Sequence, residues 1–306
     1  MRVSSRASSL VSLALTIALF SLIGGGMTFA QQAPASPAAR GYADPEGVPL
    51  RPPVVDIEPV WARPAVDTVA TIRMRGLLRV GVVSNEPFVT RDAKGELTGF
   101  SIDLGRQLAA DLGVDVEFVP TSWTQVIPDL IGRQFDLIAS GLWITPARAL
   151  VVNFSAPTSI GAMYLVASKS LAPAMKTRQD FDKADVRIIV HKGSSQESLA
   201  GRLFPRATLV KIEGDTDPVA PVLEGKAHAL LVTTPTPKLV VNQAPDKLYQ
   251  PFEEALQVTT AALAVRKGDP DFLNYLDSWI AFQREGGWLA DRQNYWFRTT
   301  DWAKGL

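Results

Sequence analysis

The stretch Ser140-Gly-Leu-Trp-Ile-Thr-Pro-Ala-Arg148 sets a guanidinium three residues after Thr145. Thr followed by Pro reads as the N-cap and first residue of a helix. Arg148 then falls at N3, where the helix dipole repels a cation by roughly a few tenths of a kcal/mol. The same turn offers unpaired amides and about half a positive charge, an anion site in itself. A planar guanidinium beside it can hold a carboxylate through two parallel, charge-assisted hydrogen bonds. The chemistry this spacing allows is capture of a small organic anion, and Trp143, just outside the cap, adds an indole face for stacking or cation–π contact.

Other chemistries find little support. The histidines are His191 and His228, without His-x-x-x-His spacing, and no nucleophile elbow or phosphate loop is present. The chain has no cysteine, which removes disulfides, thiolate zinc sites and a lipid-modified N-terminal cysteine. Lys plus Arg equals Asp plus Glu at 31 each, so no basic excess points to nucleic acid. Neither a cofactor nor a metal is expected.

The elements that must position Arg148 follow from patterning. Arg2 and Arg6 precede an apolar run, Leu10 to Ile23, that is shorter than the roughly 18–20 residues of a membrane span. With the small residues up to Ala30 this reads as a signal peptide over 1–30, cleaved after Ala30 and directing the chain to the periplasm. Residues 31–66 form a linker, with eight prolines between Gln31 and Ala65. From Asp67 helices and strands alternate. "LLRVGVV", "VDVEFVP" and "FDLIAS" read as strands, "FSIDLGRQLAADLG" as a helix with Leu104, Leu108 and Leu112 on one face, and "SWTQVIPDLIGRQ" as another. The series restarts near Val186 with the strands "RIIVHKG", "TLVKIE", "AHALLVTT" and "TTAALAVRKG". The helices "SSQESLAGRLF", "DPVAPVLEGK" and the long "DPDFLNYLDSWIAFQREGG" fall among them. This predicts an α/β protein with mostly parallel sheets in two lobes. The ligand would lie between the lobes, beyond the carboxyl ends of strands.

Four segments, in order, resemble the family 3 periplasmic solute-binding proteins, which deliver polar amino acids and related solutes to ABC transporters. They are "LRVGVVSNEPFVTRDAKGELTGFSIDLGRQLAADLG", "DLIASGLWITPARALVVNFSAP", "VHKGSSQES" and "VRKGDPDFLNYLDSWIAFQREG". The resemblance implies two Rossmann-like lobes joined by crossing strands near Gly161–Val166 and Thr260–Val265. Lobe 1 would be 67–160 plus 261–306, and lobe 2 would be 161–260. It implies that Arg148 grips the ligand carboxylate and that the turn Gly193-Ser194-Ser195 offers hydroxyls and amides to the same group. Asn85, Glu86 and Phe88 would line the pocket with Ser140 and Gly141. The implied partners are a small carboxylate-bearing ligand and the permease subunits of an ABC importer, with the binding protein a monomer.

Two departures shape the expected ligand. Where amino-acid-binding members carry an aspartate that pairs with the α-ammonium, this chain has Thr233, with Thr234 the neighbouring possibility. A neutral hydroxyl cannot neutralise a cation taken from water. Where the family has a small hydroxyl residue, this chain has Trp143. With Trp123 at another pocket position, the resemblance implies aromatic walls from Trp123, Trp143 and Phe88 around a flat carboxylate, with Glu86 the alternative holder of an ammonium. The other function open to this fold is a cyclohexadienyl- or arogenate-dehydratase-like lyase, for which Glu86, Lys192 or His191 would serve as general acid.

Overall fold

The computed structural model describes residues 67–213, 216–299 and 301–305. The expected signal peptide and linker lie outside the described residues. In chain order the elements are α1 (Thr68–Arg75), β1 (Leu77–Val82), β2 (Thr90–Arg91), β3 (Leu97–Thr98), α2 (Phe100–Leu112), β4 (Asp115–Pro120), α3 (Val126–Ile131) and β5 (Leu137–Ile138). Then come α4 (Pro146–Ala149), β6 (Val152–Ser168), α5 (Arg178–Phe181), β7 (Arg187–His191), α6 (Ser195–Leu203), β8 (Thr208–Ile212), α7 (Ala220–Leu223) and β9 (Ala229–Thr233). The chain closes with α8 (Thr236–Gln243), β10 (Leu248–Tyr249), β11 (Gln257–Arg266), α9 (Pro270–Glu285), α10 (Trp288–Arg298) and a 3-10 turn, Asp301–Gly305.

The strands pair in the order β4-β1-β5-β11-β6-β9-β7-β8, with β10 on β6. β4, β1 and β5 are mutually parallel at one end, and β8, β7 and β9 at the other. β11 runs antiparallel to β5 of the first set, β6 antiparallel to β9 of the second, and the two antiparallel to each other. The sheet is therefore more mixed than the alternating pattern predicts, because the two strands that pass between the lobes must run in opposite directions. β6 carries the passage. Its start, Val152–Phe154, pairs with Ala264–Arg266 beside the first set, and Met163–Ala167 pair with β9 in the second. Register shifts on β11 at Ala261/Ala262 and Ala262/Ala264 interrupt the ladder between them.

Alternation along the strands divides each lobe into two apolar layers, one on each face of its half of the sheet. In the first lobe Leu78, Val80 and Val82 of β1 face α2 and α9, while Ile138 packs with Val126, Leu130 and Phe135 on the other side. In the second, Ile188 and Leu231 join Leu199 and Phe204, and Ile189 and Leu230 join Val222 and Val240. Leu104, Leu108 and Leu112 are buried along α2 as their spacing predicts, and Gly113 at φ 71° ends the helix.

One buried carboxylate ties α1 to α9. Asp269, the N-cap of α9, accepts from Phe272 N at 2.9 Å and from Thr68 N at 3.0 Å at the start of α1. Asp269→Ala would leave two amide donors unpaired in a buried place. It is expected to cost about 3 kcal/mol in urea unfolding, with Asp269→Asn recovering part of the loss. A change under about 0.5 kcal/mol would show that the shared cap carries no stability.

Candidate functional site

Cavity-lining residues come from both lobes and gather where parallel strands end. Ser84 and Asn85 follow β1, Thr121–Thr124 follow β4, His191 ends β7, Glu213 follows β8 and Thr233 ends β9. This is the position at which open α/β sheets bind ligands. Two cavities result. One, of about 310 Å³, is lined by Asn85, Glu86, His191, Asp217, Thr233 and Thr236 among others. The second, of about 390 Å³, is lined by Trp123, Thr124, His191, Lys192 and Glu213 among others. His191 is common to both.

Contacts between the lobes flank these cavities. Thr236 Oγ1 donates to the Glu86 carbonyl at 3.4 Å. Gly193, at φ 75°, lies so close to Thr124 that a Cβ built on it would sit 2.8 Å from Thr124 Cγ2 and 3.0 Å from Thr124 N.

Arg148 stands in a loop anchored at both ends. Thr145 caps α4, accepting from Arg148 N at 3.3 Å, with Pro146 in the first turn as expected. The helix lasts only four residues, and its amides at Ala149 and Leu150 bond to Thr145 and Pro146. Pro146 has no N–H and the Arg148 amide is taken by Thr145 Oγ1, so the turn offers an anion little beyond the Ala147 amide, and a helix of four residues has little dipole; the attraction rests mainly on the side chain. Arg148 Nη1 donates to the Trp143 carbonyl at 2.9 Å, and its Cζ lies 6.0 Å from the centre of the Trp123 ring. No carboxylate of the described residues pairs with it, and removal from water lowers its pKa to about 10. It stays charged at neutral pH.

Several expected pocket residues are placed elsewhere. Phe88 is 3% exposed and meets Phe100 edge to face and Phe297 at a tilt in the first lobe's core. Gly141, at φ 62°, is required above its ring, since a Cβ there would come within 2.6 Å of it. Trp143 is 4% exposed. It is bridged to Ala261 and lies against Gly161 where the crossing strands pair. Neither aromatic lines the two cavities, so of the three expected walls only Trp123 does, and the argument for a flat ligand weakens. Ser140 is fully buried and its Oγ accepts from Val83 N at 2.7 Å, holding the end of β1. Asn85 closes a tight turn by exchanging backbone hydrogen bonds with Val89, which sets Glu86 at the tip.

The turn before α6 also departs from expectation. Ser194 Oγ donates to the His191 carbonyl at 2.6 Å and accepts from Glu197 N. The Glu197 carboxylate takes the Gly193 amide at 2.6 Å and pairs with Lys211. An internal carboxylate thus occupies groups expected to face a ligand. Ser195 is half-buried and lines neither cavity. Asp217 is the residue sequence reasoning missed. "EGDTDP" follows β8, and a Gly/Asp/Pro loop after a parallel strand is the signal that marks it.

Comparison with known proteins decides the family. The model of the bacterial extracellular solute-binding proteins, family 3, matches residues 78–299. The chain belongs to this family. Among solved structures, an ABC-transporter binding component from Wolinella succinogenes, complexed with lysine, is 35% identical with a TM-score of 0.69, covering 75% of this chain and 99% of that one. The L-cystine-binding protein of Escherichia coli is 26% identical over 74% of this chain and 84% of its own. The cyclohexadienyl dehydratase of Pseudomonas aeruginosa is 27% identical over 72% of this chain and 82% of its own. The family fold, two α/β lobes joined by crossing strands with a cleft between them, is the architecture described above.

Proposed function

We propose that this family 3 protein is a periplasmic receptor that captures a small carboxylate-bearing solute, amino-acid-like or an organic acid, and delivers it as a monomer to the permease of an ABC importer. The lobes that close on the solute would be 67–160 with 261–306, and 161–260. The observation that carries the reading is Arg148. Its guanidinium is desolvated, and no carboxylate of the described residues pairs with it. An uncompensated cation out of water costs several kcal/mol. A solute carboxylate would remove that cost by direct pairing, with Trp123 stacked against the same guanidinium. Relatives that bind lysine and cystine support a ligand of this size and charge. The test is calorimetric titration of wild type and Arg148→Ala, argued in the Discussion.

The similarity to the Pseudomonas dehydratase keeps a second reading, a lyase, in view. Glu86 favours it. Desolvation, and then the charge of Asp217, raise its pKa, as a general acid requires. The receptor reading expects no loss of water from prephenate or arogenate in the protein's presence. Turnover that disappears in Glu86→Gln would establish the lyase instead.

A further inference from the structure

A third cavity, of about 950 Å³, lies away from the cleft, on the other face of the crossing strands. The register of β6 and β9 fixes its place. Met163 pairs with Thr233 and Tyr164 with Val232, and successive residues of a strand look to opposite faces. Thr233 therefore looks into the cleft cavity that Glu86 lines, whereas Thr234 and Tyr164 look into this one. The remaining walls come from both lobes. Pro235, Pro237 and Leu239 enclose it around the start of α8, and Phe297 and Arg298 at the end of α10.

Some polar groups of this cavity are already engaged. Thr234 Oγ1 accepts from Ala162 N at 3.2 Å, Gln250 Nε2 donates to the Phe252 carbonyl at 3.0 Å, and Thr299 Oγ1 donates to the Tyr295 carbonyl at 2.7 Å. Lys238 and Arg298, one from each lobe, have no carboxylate partner among the described residues. Glu253 is the acidic residue on the wall, so two cations stand against one carboxylate and the balance favours an anion. The apolar surface matches such a ligand. Tyr164 and Phe297 contribute aromatic area, and the strand face that carries Tyr164 continues through Ala162 to Ile160 on β6 and Val258 on β11. Ile160 and Val258 are 74% and 64% exposed. Exposed apolar side chains side by side, next to a cavity with aromatic walls, extend the surface that an apolar body can cover.

We infer that this cavity is a second binding site, for an anion with an aromatic or similarly flat apolar body. Lys238 of one lobe and Arg298 of the other hold the charge, and the body lies against Tyr164 and Phe297. The volume and the mixed lining are those of a small-molecule pocket. The site goes beyond the receptor reading and is independent of what the cleft holds, because neither Arg148 nor its neighbours Trp123 and Trp143 line it. One cation from each lobe makes the occupant a bridge between them, on the side of the crossing strands that the solute does not reach.

The test is fluorescence titration of the full chain with 8-anilinonaphthalene-1-sulfonate, an aromatic anion, and with N-phenyl-1-naphthylamine, which has the same rings without the sulfonate. The expected result is one saturable site that binds the sulfonate at least tenfold more tightly than the amine. Lys238→Ala and Arg298→Ala should each weaken the sulfonate about threefold or more, and together about tenfold or more, while Arg148→Ala leaves it unchanged. Equal binding of the two probes, binding of neither, or a double variant that binds like wild type would overturn the inference. A loss in only one of the single variants would overturn the bridge. Loss of the sulfonate in Arg148→Ala would place the probe in the cleft and overturn the second site. Probe affinity that falls as the protein concentration rises would overturn it too, by showing a second copy of the chain on this face.

Discussion

Arg148→Ala is expected to weaken binding of the solute about a hundredfold while leaving the melting temperature nearly unchanged. Truncating one partner of a desolvated charge pair costs about 2–5 kcal/mol of affinity, and about 2.7 kcal/mol corresponds to a hundredfold. The same side chain donates to the Trp143 carbonyl and meets no opposite charge among the described residues. Removing it there relieves a desolvated cation as it breaks that bond, so stability should move by less than about 1 kcal/mol. The contrast between affinity and stability is what identifies a ligand contact. A structural arginine would show the reverse. Titration calorimetry and thermal unfolding on the same preparations measure both, and Arg148→Lys should recover only part of the affinity, since an ammonium cannot form the two-pronged pair.

The second large effect concerns closure. Gly193→Ala is expected to lower affinity at least tenfold by holding the lobes apart. Two penalties apply, and they act on different states. The positive φ of 75° costs alanine about 1–2 kcal/mol wherever the lobes stand. The collision with Thr124, whose Cγ2, N and Cα all lie within 3.1 Å of the added Cβ, arises only where the lobes meet. Two of those three atoms are backbone or attached to it, so a side-chain rotation cannot relieve the contact. Gly76→Ala supplies the control, since Gly76 has a φ of 70° and open space around its missing Cβ. It should lose similar stability and keep wild-type affinity. Small-angle scattering with and without ligand would show Gly193→Ala failing to contract. Equal contraction in both variants would mean that Gly193 serves its own turn and not the interface.

Much of this could be read from the sequence, and what escaped has identifiable causes. α2 and α9 were legible because apolar spacing and capping residues agree: three leucines on one face before Gly113, and Asp269-Pro270 before the longest helix. The strands β1, β4, β7, β8 and β9 were legible as short apolar runs between helices. β6 was not read as one strand of 17 residues, because its first half mixes polar residues with Pro157 and owes its form to pairing with β11, about a hundred residues away. α10 follows Gly286-Gly287, which reads as a stop, and the chain there ends one helix and starts another.

At the site, the Thr-Pro cap before Arg148 is present as its residues predict, but a helix of four residues has little dipole, so the helix adds little to what the Arg148 side chain offers an anion. Phe88 and Trp143 show the limit of transferring positions. Residue type does not say which side of a backbone faces the cleft, and that depends on glycines beside them, Gly141 against Phe88 and Gly161 against Trp143. Asp217 lies in a polar loop with no periodic pattern to mark it, whereas the family resemblance points to the end of β9. It follows β8, two strands from β9 in the sheet.

The measurement that bears most directly on the central claim is a thermal-shift comparison of amino acids with the amines that remain when their carboxylates are removed, on wild type and Arg148→Ala. A ligand bound by the native state alone raises stability by RT ln(1 + [L]/Kd), so even modest affinity registers. The account predicts stabilisation of wild type by at least one carboxylate-bearing compound, none by its decarboxylated partner, and in the variant an equal shift only at about a hundredfold higher concentration of the carboxylate-bearing compound. Equal stabilisation by the amine, or an undiminished shift in Arg148→Ala, would contradict it.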